Sequence, residues 1–563
     1  MSNSFEHFKG KPYRVSVWLL ASASMIATGF PGGISANAQS MAASARQESL
    51  GLSAGCDRLT GLNLAATTIT SATAVAANTF VPPNRGSREA VPVAFCRVTG
   101  VIRPTNDSEI KFELWLPRTG WTGRYESVGN GGFAGAIRYD SMWSPLLGGS
   151  AVASTDDGHS APAVGLGSAK WAMGHPEKII DYGYRAVHLT AQAGKAITEA
   201  YYERKPSFSY FVGCSKGGQE AFMEAQRYPD DFNGIVAGAA ANQWVNLFSS
   251  FPWTAQLNLQ SRATYLSPAS LEAIAVAVRR DCDAADGVRD GLISDPQRCR
   301  VRLSSTGLTK AQIATFMKIH EGPKTTAGDE IYAGHPYGTE TVELPQTIAG
   351  KSFETAPSEI DMGMYGNEFF RYFIYQDPSW TFSNFPIERA RADAQKAVGS
   401  VINSDGLDFS QFRARGGKVI QWNGWSDGIV TPLGAISYYR RVVGAQAGPR
   451  GGATVRALAD TKEFYRLFLA PGVGHCSGGP GPHAFGQAGG NHDAEHDMVA
   501  ALERWVEKGK APERIIATKY VNDDPSKGVE MTRPLCAYPK VAQYSKAGST
   551  RSAENFVCKA MPM

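Results

Sequence analysis

The chain predicts an α/β protein, a mostly parallel sheet flanked by helices and interrupted by one large insertion. Three observations predict it. Between Lys111 and Ala241 short apolar runs alternate with segments of helical spacing, the pattern of a parallel sheet covered on both faces. Around Ser215 a strand passes into a helix through a Gly-x-Ser-x-Gly turn, Gly213 to Gly217. From Asn242 to Leu407 the alternation stops, and "GGKVIQWNGWSDGIVTP" (Gly416 to Pro432) then restores a strand.

The N-terminus reads as an address rather than as fold. Lys9, Lys11 and Arg14 precede an apolar run from Val15 to Phe30, and Ala36-Asn37-Ala38 offers an A-x-A cleavage site, so residues 1–38 are expected to be a secretory signal peptide. The run is short and rich in Ser and Gly for a membrane span, with an uncleaved anchor as the alternative. A formal net charge of +4 over 563 residues, without a basic stripe, points to no nucleic-acid partner.

In the first part of the core, 39–241, "KFELWLP" (Lys111 to Pro117) alternates as a strand does. "RYESVGNGGFAG" (Arg124 to Gly135) runs from strand into a glycine-rich loop, and "AVASTDDGH" (Ala151 to His159) is a buried strand with a polar end. Asp181 to Tyr202 has helical spacing, Ser207 to Pro229 reads strand, tight turn, helix, and Gly234 to Ala241 is a further strand. Residues 242–407, rich in aromatics, Pro and Gly without a sustained period, form an insertion placed to act as a lid. The core resumes over 408–563.

Gly213-Cys214-Ser215-Lys216-Gly217 has the form of the nucleophile elbow of α/β-hydrolases. A serine nucleophile needs a base that is itself oriented by a carboxylate, and on this fold the chain order is Ser, then Asp or Glu, then His. Asp427 stands in a turn after a strand, and His475 on the glycine-rich loop of "YRLFLAPGVGHCSGG" (Tyr465 to Gly479). His483, His492 and His496 follow no apolar strand. Ser215, Asp427 and His475 are therefore the candidate triad. Cys214 precedes the serine and Cys476 follows the histidine, so a Cys214–Cys476 disulfide would tie nucleophile to base. The eight cysteines of an exported chain are expected to pair, though arithmetic alone allows 105 pairings.

With "GCSKGG", "GWSDG" and "GHCSGGPGP" the chain resembles the tannase and fungal-type feruloyl esterase family of α/β-hydrolases, from about Cys56 to Cys558. That resemblance implies Ser215 as nucleophile, His475 as base and then acid, Asp427 as orienter, and a bonded Cys214 and Cys476. Of two oxyanion donors, position assigns one to the backbone N–H of Lys216. The loop "VGNGGFAG" is suited to supply the other, and the resemblance selects Gly132 there.

In "CDAADGVRDGLISDPQRC" (Cys282 to Cys299), Asp283, Asp286 and Asp290 stand close together between glycines. Hard oxygen ligands at this spacing suit Ca²⁺, with a solvated acidic turn as the other reading. Family resemblance implies a structural calcium completed by the carbonyls of Val288 and Leu292, and the flanking cysteines would clip the loop. By proximity and resemblance Cys56 pairs with Cys96 and Cys536 with Cys558.

The implied protein is a secreted or periplasmic serine carboxylesterase acting on small aromatic esters, hydroxycinnamoyl or galloyl, with no membrane attachment after signal cleavage. A mono-hydroxyethyl terephthalate-type hydrolase is the alternative, needing an arginine such as Arg371 or Arg389 in the lid. Other classes are an acyltransferase or peptidase using the same triad, and a non-catalytic calcium-stabilised binding protein. Phe369, Phe370, Tyr372, Tyr375 and Trp380 could line a pocket or fill a core.

Overall fold

The computed structural model describes residues 55–83, 89–133, 135–161, 167–340, 342–356, 359–448, 454–486 and 491–560. The expected signal peptide, 1–38, lies outside the described residues. Leu52 to Met563 forms one compact unit.

Its centre is a nine-stranded sheet in the order β1-β2-β3-β5-β4-β6-β7-β8-β9. The strands are β1 (Thr67–Val75), β2 (Phe95–Ile102), β3 (Ile110–Pro117), β4 (Arg124–Val128), β5 (Ala151–Thr155), β6 (Phe208–Cys214), β7 (Gly234–Gly238), β8 (Lys418–Gly424) and β9 (Tyr465–Ala470). From β5 across to β9 every pairing is parallel, while β1, β2, β3 and β5 pair antiparallel. Two hairpin ribbons follow: β10 (Arg514–Tyr520) pairs with β11 (Val529–Cys536), and β12 (Lys540–Tyr544) with β13 (Phe556–Ala560). The strands expected from the sequence begin at Lys111 and leave out β1 and β2. β1 is a Thr- and Ala-rich edge strand with few buried positions, so it carries little hydrophobic alternation to detect.

The helices that matter here are α1 (Tyr139–Leu147), α2 (Ala186–Tyr202), α3 (Lys216–Arg227), α4 (Trp244–Leu259), α5 (Pro268–Cys282), α6 (Lys310–Glu321), α7 (Asp361–Glu368), α8 (Ile387–Ala394), α9 (Pro432–Gln446) and α10 (Met498–Lys508). Side chains alternate across the central strands, as the pleat requires. Phe211, Ile235, Val419 and Leu467 pack with residues of α2, α3 and α9 on one face, whereas Tyr210, Val236, Ile420 and Phe468 pack with α10 on the other. Both faces are thus covered, which explains why these strands read as unbroken apolar runs.

The segment between β7 and β8, which contains the expected insertion 242–407, holds α4 to α8. It is more helical than its lack of period suggests. α4 is buried nearly all round, with Trp244, Val245, Leu247, Phe248, Phe251 and Ala255 inside and Pro252 within the helix, so no polar face marks it.

Four disulfides join Cys56–Cys96, Cys214–Cys476, Cys282–Cys299 and Cys536–Cys558, the pairing that position and resemblance led us to expect. No helix among the described residues is long and apolar enough to cross a membrane.

Candidate active site

Ser215 caps the end of β6 and starts α3 with φ 64° and ψ −115°. A non-glycine residue there stores about 1–3 kcal/mol of backbone strain, and its surroundings hold it. Its N–H donates to the carbonyl of Gly238 at 2.9 Å, and its carbonyl accepts from the N–H of Ala241 at 3.1 Å. The turn closes so tightly that a Cβ on Gly213 would lie 2.5 Å from the Gly217 carbonyl. Glycine at that position is therefore steric necessity.

Asp427 follows β8 and is fully buried. One carboxylate oxygen accepts the N–H groups of Ile429 and Val430 at 2.9 and 2.8 Å. The other accepts Asn423 Nδ2 at 3.2 Å and His475 Nδ1 at 3.0 Å. Because a carboxylate can only accept, Nδ1 carries the ring proton and Nε2 keeps its lone pair, the tautomer a general base needs. Burial alone would lower the His475 pKa, but the charge and hydrogen bond of Asp427, with Glu343 and Asp361 nearby, raise it above its ordinary value.

The Cys214–Cys476 bond sets the residue before Ser215 and the residue after His475 with their Cα atoms 5.9 Å apart. Ser215, Asp427 and His475 thus converge at the C-terminal ends of β6, β8 and β9, where open parallel sheets carry their chemistry.

The loop after β4 is moored to the elbow. The N–H of Gly217 donates to the Asn130 carbonyl at 2.9 Å, and Asn130 Nδ2 reaches the Thr155 carbonyl at 2.8 Å. Gly132 has φ 56° and its carbonyl accepts the Tyr182 hydroxyl. Lys216 begins α3, placing its backbone amide directly after Ser215. Its side chain, however, turns inward and is fully buried, with Nζ 2.6 Å from Glu220 Oε1 and 3.9 Å from Asp157 Oδ2. Glu220 Oε2 in turn accepts the N–H of Asn130 at 3.0 Å. One ion pair therefore links the elbow to the candidate oxyanion loop, a role the sequence reading did not foresee.

A family model described as Tannase and feruloyl esterase matches residues 96–559. The chain belongs to that family. An uncharacterized esterase of Xanthomonas campestris pv. campestris is 43% identical over 537 residues, covering 91% of this chain and 92% of its own. A probable feruloyl esterase B-2 of Aspergillus terreus is 32% identical over 487 residues, covering 84% and 87%. Among solved structures, feruloyl esterase B from Aspergillus oryzae gives a TM-score of 0.80 at 28% identity over 90% of this chain and 100% of that one. The fold is of the α/β-hydrolase type, and the protein is a carboxylic ester hydrolase.

In this esterase the segment between β7 and β8 packs against the candidate site. Phe369 and Phe370 are fully buried, and Phe370 packs among Tyr375, Trp380 and Phe385. That stretch is mainly core. Aromatic groups of the same segment that reach the candidate oxyanion loop include Trp244, Phe248, Tyr365 and Phe373, each packed on Phe133. Arg371 Nε donates to the Trp380 carbonyl, and Arg389 lies exposed beside Asp393. Glu343, absent from the sequence reading, accepts the N–H of His475 at 2.6 Å and that of Gly428 at 2.7 Å.

The acidic loop before Cys299 is wound on its own carboxylates. Asp283 accepts the amides of Asp290 and Gly291, Asp286 that of Val288 and the Ser294 hydroxyl, and Asp290 that of Leu292. Burial first, and then the charge of Asp290, hold the Asp283 and Asp286 carboxyls above their usual range. The donor chemistry suits a hard cation, although buried Arg533 already pairs with Asp290. The loop does not gather one oxygen from each aspartate within 4.8 Å. Among the described residues, His188, Glu224 and Asp231 form the set of potential ligands that does, and there Lys195 Nζ, 3.1 Å from Asp231, supplies the cation.

Proposed function

We propose that this enzyme is an exported serine esterase that cleaves esters of aromatic acids, hydroxycinnamoyl or galloyl, through an acyl-enzyme. Family membership supports an aromatic-acid ester hydrolase. The observation that carries the finer reading is the buried Asp427–His475 pair tied to the elbow serine by the Cys214–Cys476 bond.

In this mechanism Ser215 Oγ attacks the ester carbonyl while His475 Nε2 takes its proton. Asp427 holds the ring and offsets the charge of the imidazolium. Negative charge on the former carbonyl oxygen is met by the backbone N–H groups of Lys216 and Gly132, each such donor contributing a few kcal/mol to the transition state. His475 then returns the proton to the leaving alcohol, and water attacks the acyl-serine with His475 again as base.

The choice of acid rests on charge. Asp427, Glu343 and Asp361 all act on His475, Arg371 and Arg389 are engaged as described, and Arg138, which borders Gly131, is paired with Asp140. A neutral aromatic ester suits such a site better than one bearing its own carboxylate. We expect methyl ferulate, methyl gallate or chlorogenate to be cleaved with higher kcat/KM than mono-hydroxyethyl terephthalate. The reverse ranking in a hydrolysis panel would transfer the assignment to the terephthalate-type activity.

Export is supported by four disulfides, which persist in oxidising compartments. Calcium held by Asp283, Asp286 and Asp290 with the carbonyls of Val288 and Leu292 would neutralise the clipped loop and take no part in the chemistry. Removing it is expected to lower Tm while the rate per folded molecule stays near normal. An unchanged Tm after a chelator has demonstrably stripped the metal would refute the calcium assignment.

A further inference from the structure

We infer that Glu343, a residue of the insertion, is a positioning residue for ester hydrolysis, clamping the loop that carries Asp427 to the loop that carries His475. The inference rests on the triad reading above. Its basis is the division of one carboxylate between two loops. Oε2 accepts the N–H of Gly428, the residue after Asp427, at 2.7 Å, and Oε1 accepts the N–H of His475 itself at 2.6 Å.

Room has been made for this side chain on both loops. A Cβ on Gly428 would stand 2.8 Å from Glu343 Cβ, and a Cβ on Gly474 would stand 2.5 Å from Glu343 Oε1. The first contact is with Cβ and cannot be relieved by rotating the side chain, and the second would push the carboxylate off the His475 amide, so the clamp needs glycine at both positions. Gly428 and Gly474 directly adjoin Asp427 and His475. Two N–H donors, one on each oxygen, require both oxygens to accept, which the ionised form does.

The clamp has an electrostatic consequence. The charged groups acting on His475 are Asp427 at the end of β8, Glu343, and Asp361 at the start of α7, and all three favour the imidazolium. Those acting on Glu343 are Asp427 and His475, and burial followed by the Asp427 charge pushes its carboxyl up. Taking away the Glu343 charge therefore lowers the His475 pKa and lets the free base persist to lower pH.

The test compares wild type with Glu343→Gln and Glu343→Ala on one aromatic methyl ester. Rates are normalised to the sites titrated by a fluorophosphonate, and Tm is recorded alongside. Glu343→Ala is expected to lose about tenfold in kcat with KM within about twofold, since errors of an ångström in catalytic geometry cost up to a hundredfold. Glu343→Gln keeps the shape and one acceptor, loses less in kcat, and moves the acid limb of the kcat/KM profile to lower pH. A merely structural residue would change Tm and the titratable fraction and leave that limb in place. Wild-type kcat per titrated site in both variants, with an unmoved acid limb, overturns the clamp while leaving the triad intact. Failure of the fluorophosphonate to label Ser215 in the wild-type protein overturns the triad and the clamp together.

Discussion

Ser215→Ala is expected to remove ester hydrolysis to below about a thousandth of the wild-type rate, with Tm and substrate binding near normal. The expectation follows from what the substitution takes away. It deletes one oxygen at the mouth of the elbow and leaves the turn's hydrogen bonds to Gly238 and Ala241, which are made by the backbone. The Asp427–His475 pair and the disulfide beside it are untouched, so the base and the candidate oxyanion donors stay in place. What survives in triads cut at the nucleophile is catalysis by binding and by the oxyanion hole alone. Alanine adopts φ 64° no more readily than serine, so no relief of strain should offset the loss. Steady-state rates, with mass spectrometry of fluorophosphonate-treated protein, decide the matter. Labelling retained in Ser215→Ala, or more than about a thousandth of the activity, would assign the attack to another residue.

The parts of this site that were legible in the sequence are those written in local patterns. Gly213 to Gly217 announces a strand-to-helix turn, Asp427 and His475 each follow an apolar strand, and the two cysteines stand one residue from the serine and from the histidine. In each case a short window holds both the residue and the reason for its position. Glu343 has no such window. It lies 84 residues before Asp427, flanked by no motif, and its function exists only because the insertion folds back over both loops. The one trace it leaves is in its partners, the glycines at 428 and 474 that a side chain would block. The buried side chain of Lys216, unlike its backbone amide, escaped for the opposite reason. A lysine at a turn is ordinarily solvated, and the approach of Glu220 and Asp157, with the Tyr182 ring 4.4 Å from Nζ, makes full burial of its ammonium affordable. The fold was most legible where strands are covered on both faces and least so at β1, whose exposed edge shows little pattern, and at α4, whose burial on nearly every side erases the helical period.

Replacing Cys214 and Cys476 together by alanine is expected to cost roughly a hundredfold in kcat per folded molecule, well beyond any loss of stability. The bond spans 262 residues of chain, and the chain-entropy account assigns a loop of that size nominally about 5.5 kcal/mol, usually less in practice. That contribution acts through the unfolded state. A protein stapled only in this way would melt earlier and hydrolyse esters at the normal rate while folded. The position of the bond argues for a second effect. Cys214 is the last residue of β6 and Cys476 has φ 66°, so the bond meets the elbow on one side and a constrained turn of the His475 loop on the other. Freed of it, that loop is held to the rest of the site by the hydrogen bonds of His475 to Asp427 and Glu343 and by the Ser426 amide on the Val473 carbonyl. None of these bonds reaches the elbow. The distance between nucleophile and base would then be free to drift, and an error of about 1 Å there costs on the order of a hundredfold. Measuring Tm and kcat per fluorophosphonate-titrated site on the double variant separates the two effects. A lowered Tm with unchanged kcat would make the disulfide a staple of the unfolded chain alone, and the positioning role would then rest with Asp427 and Glu343.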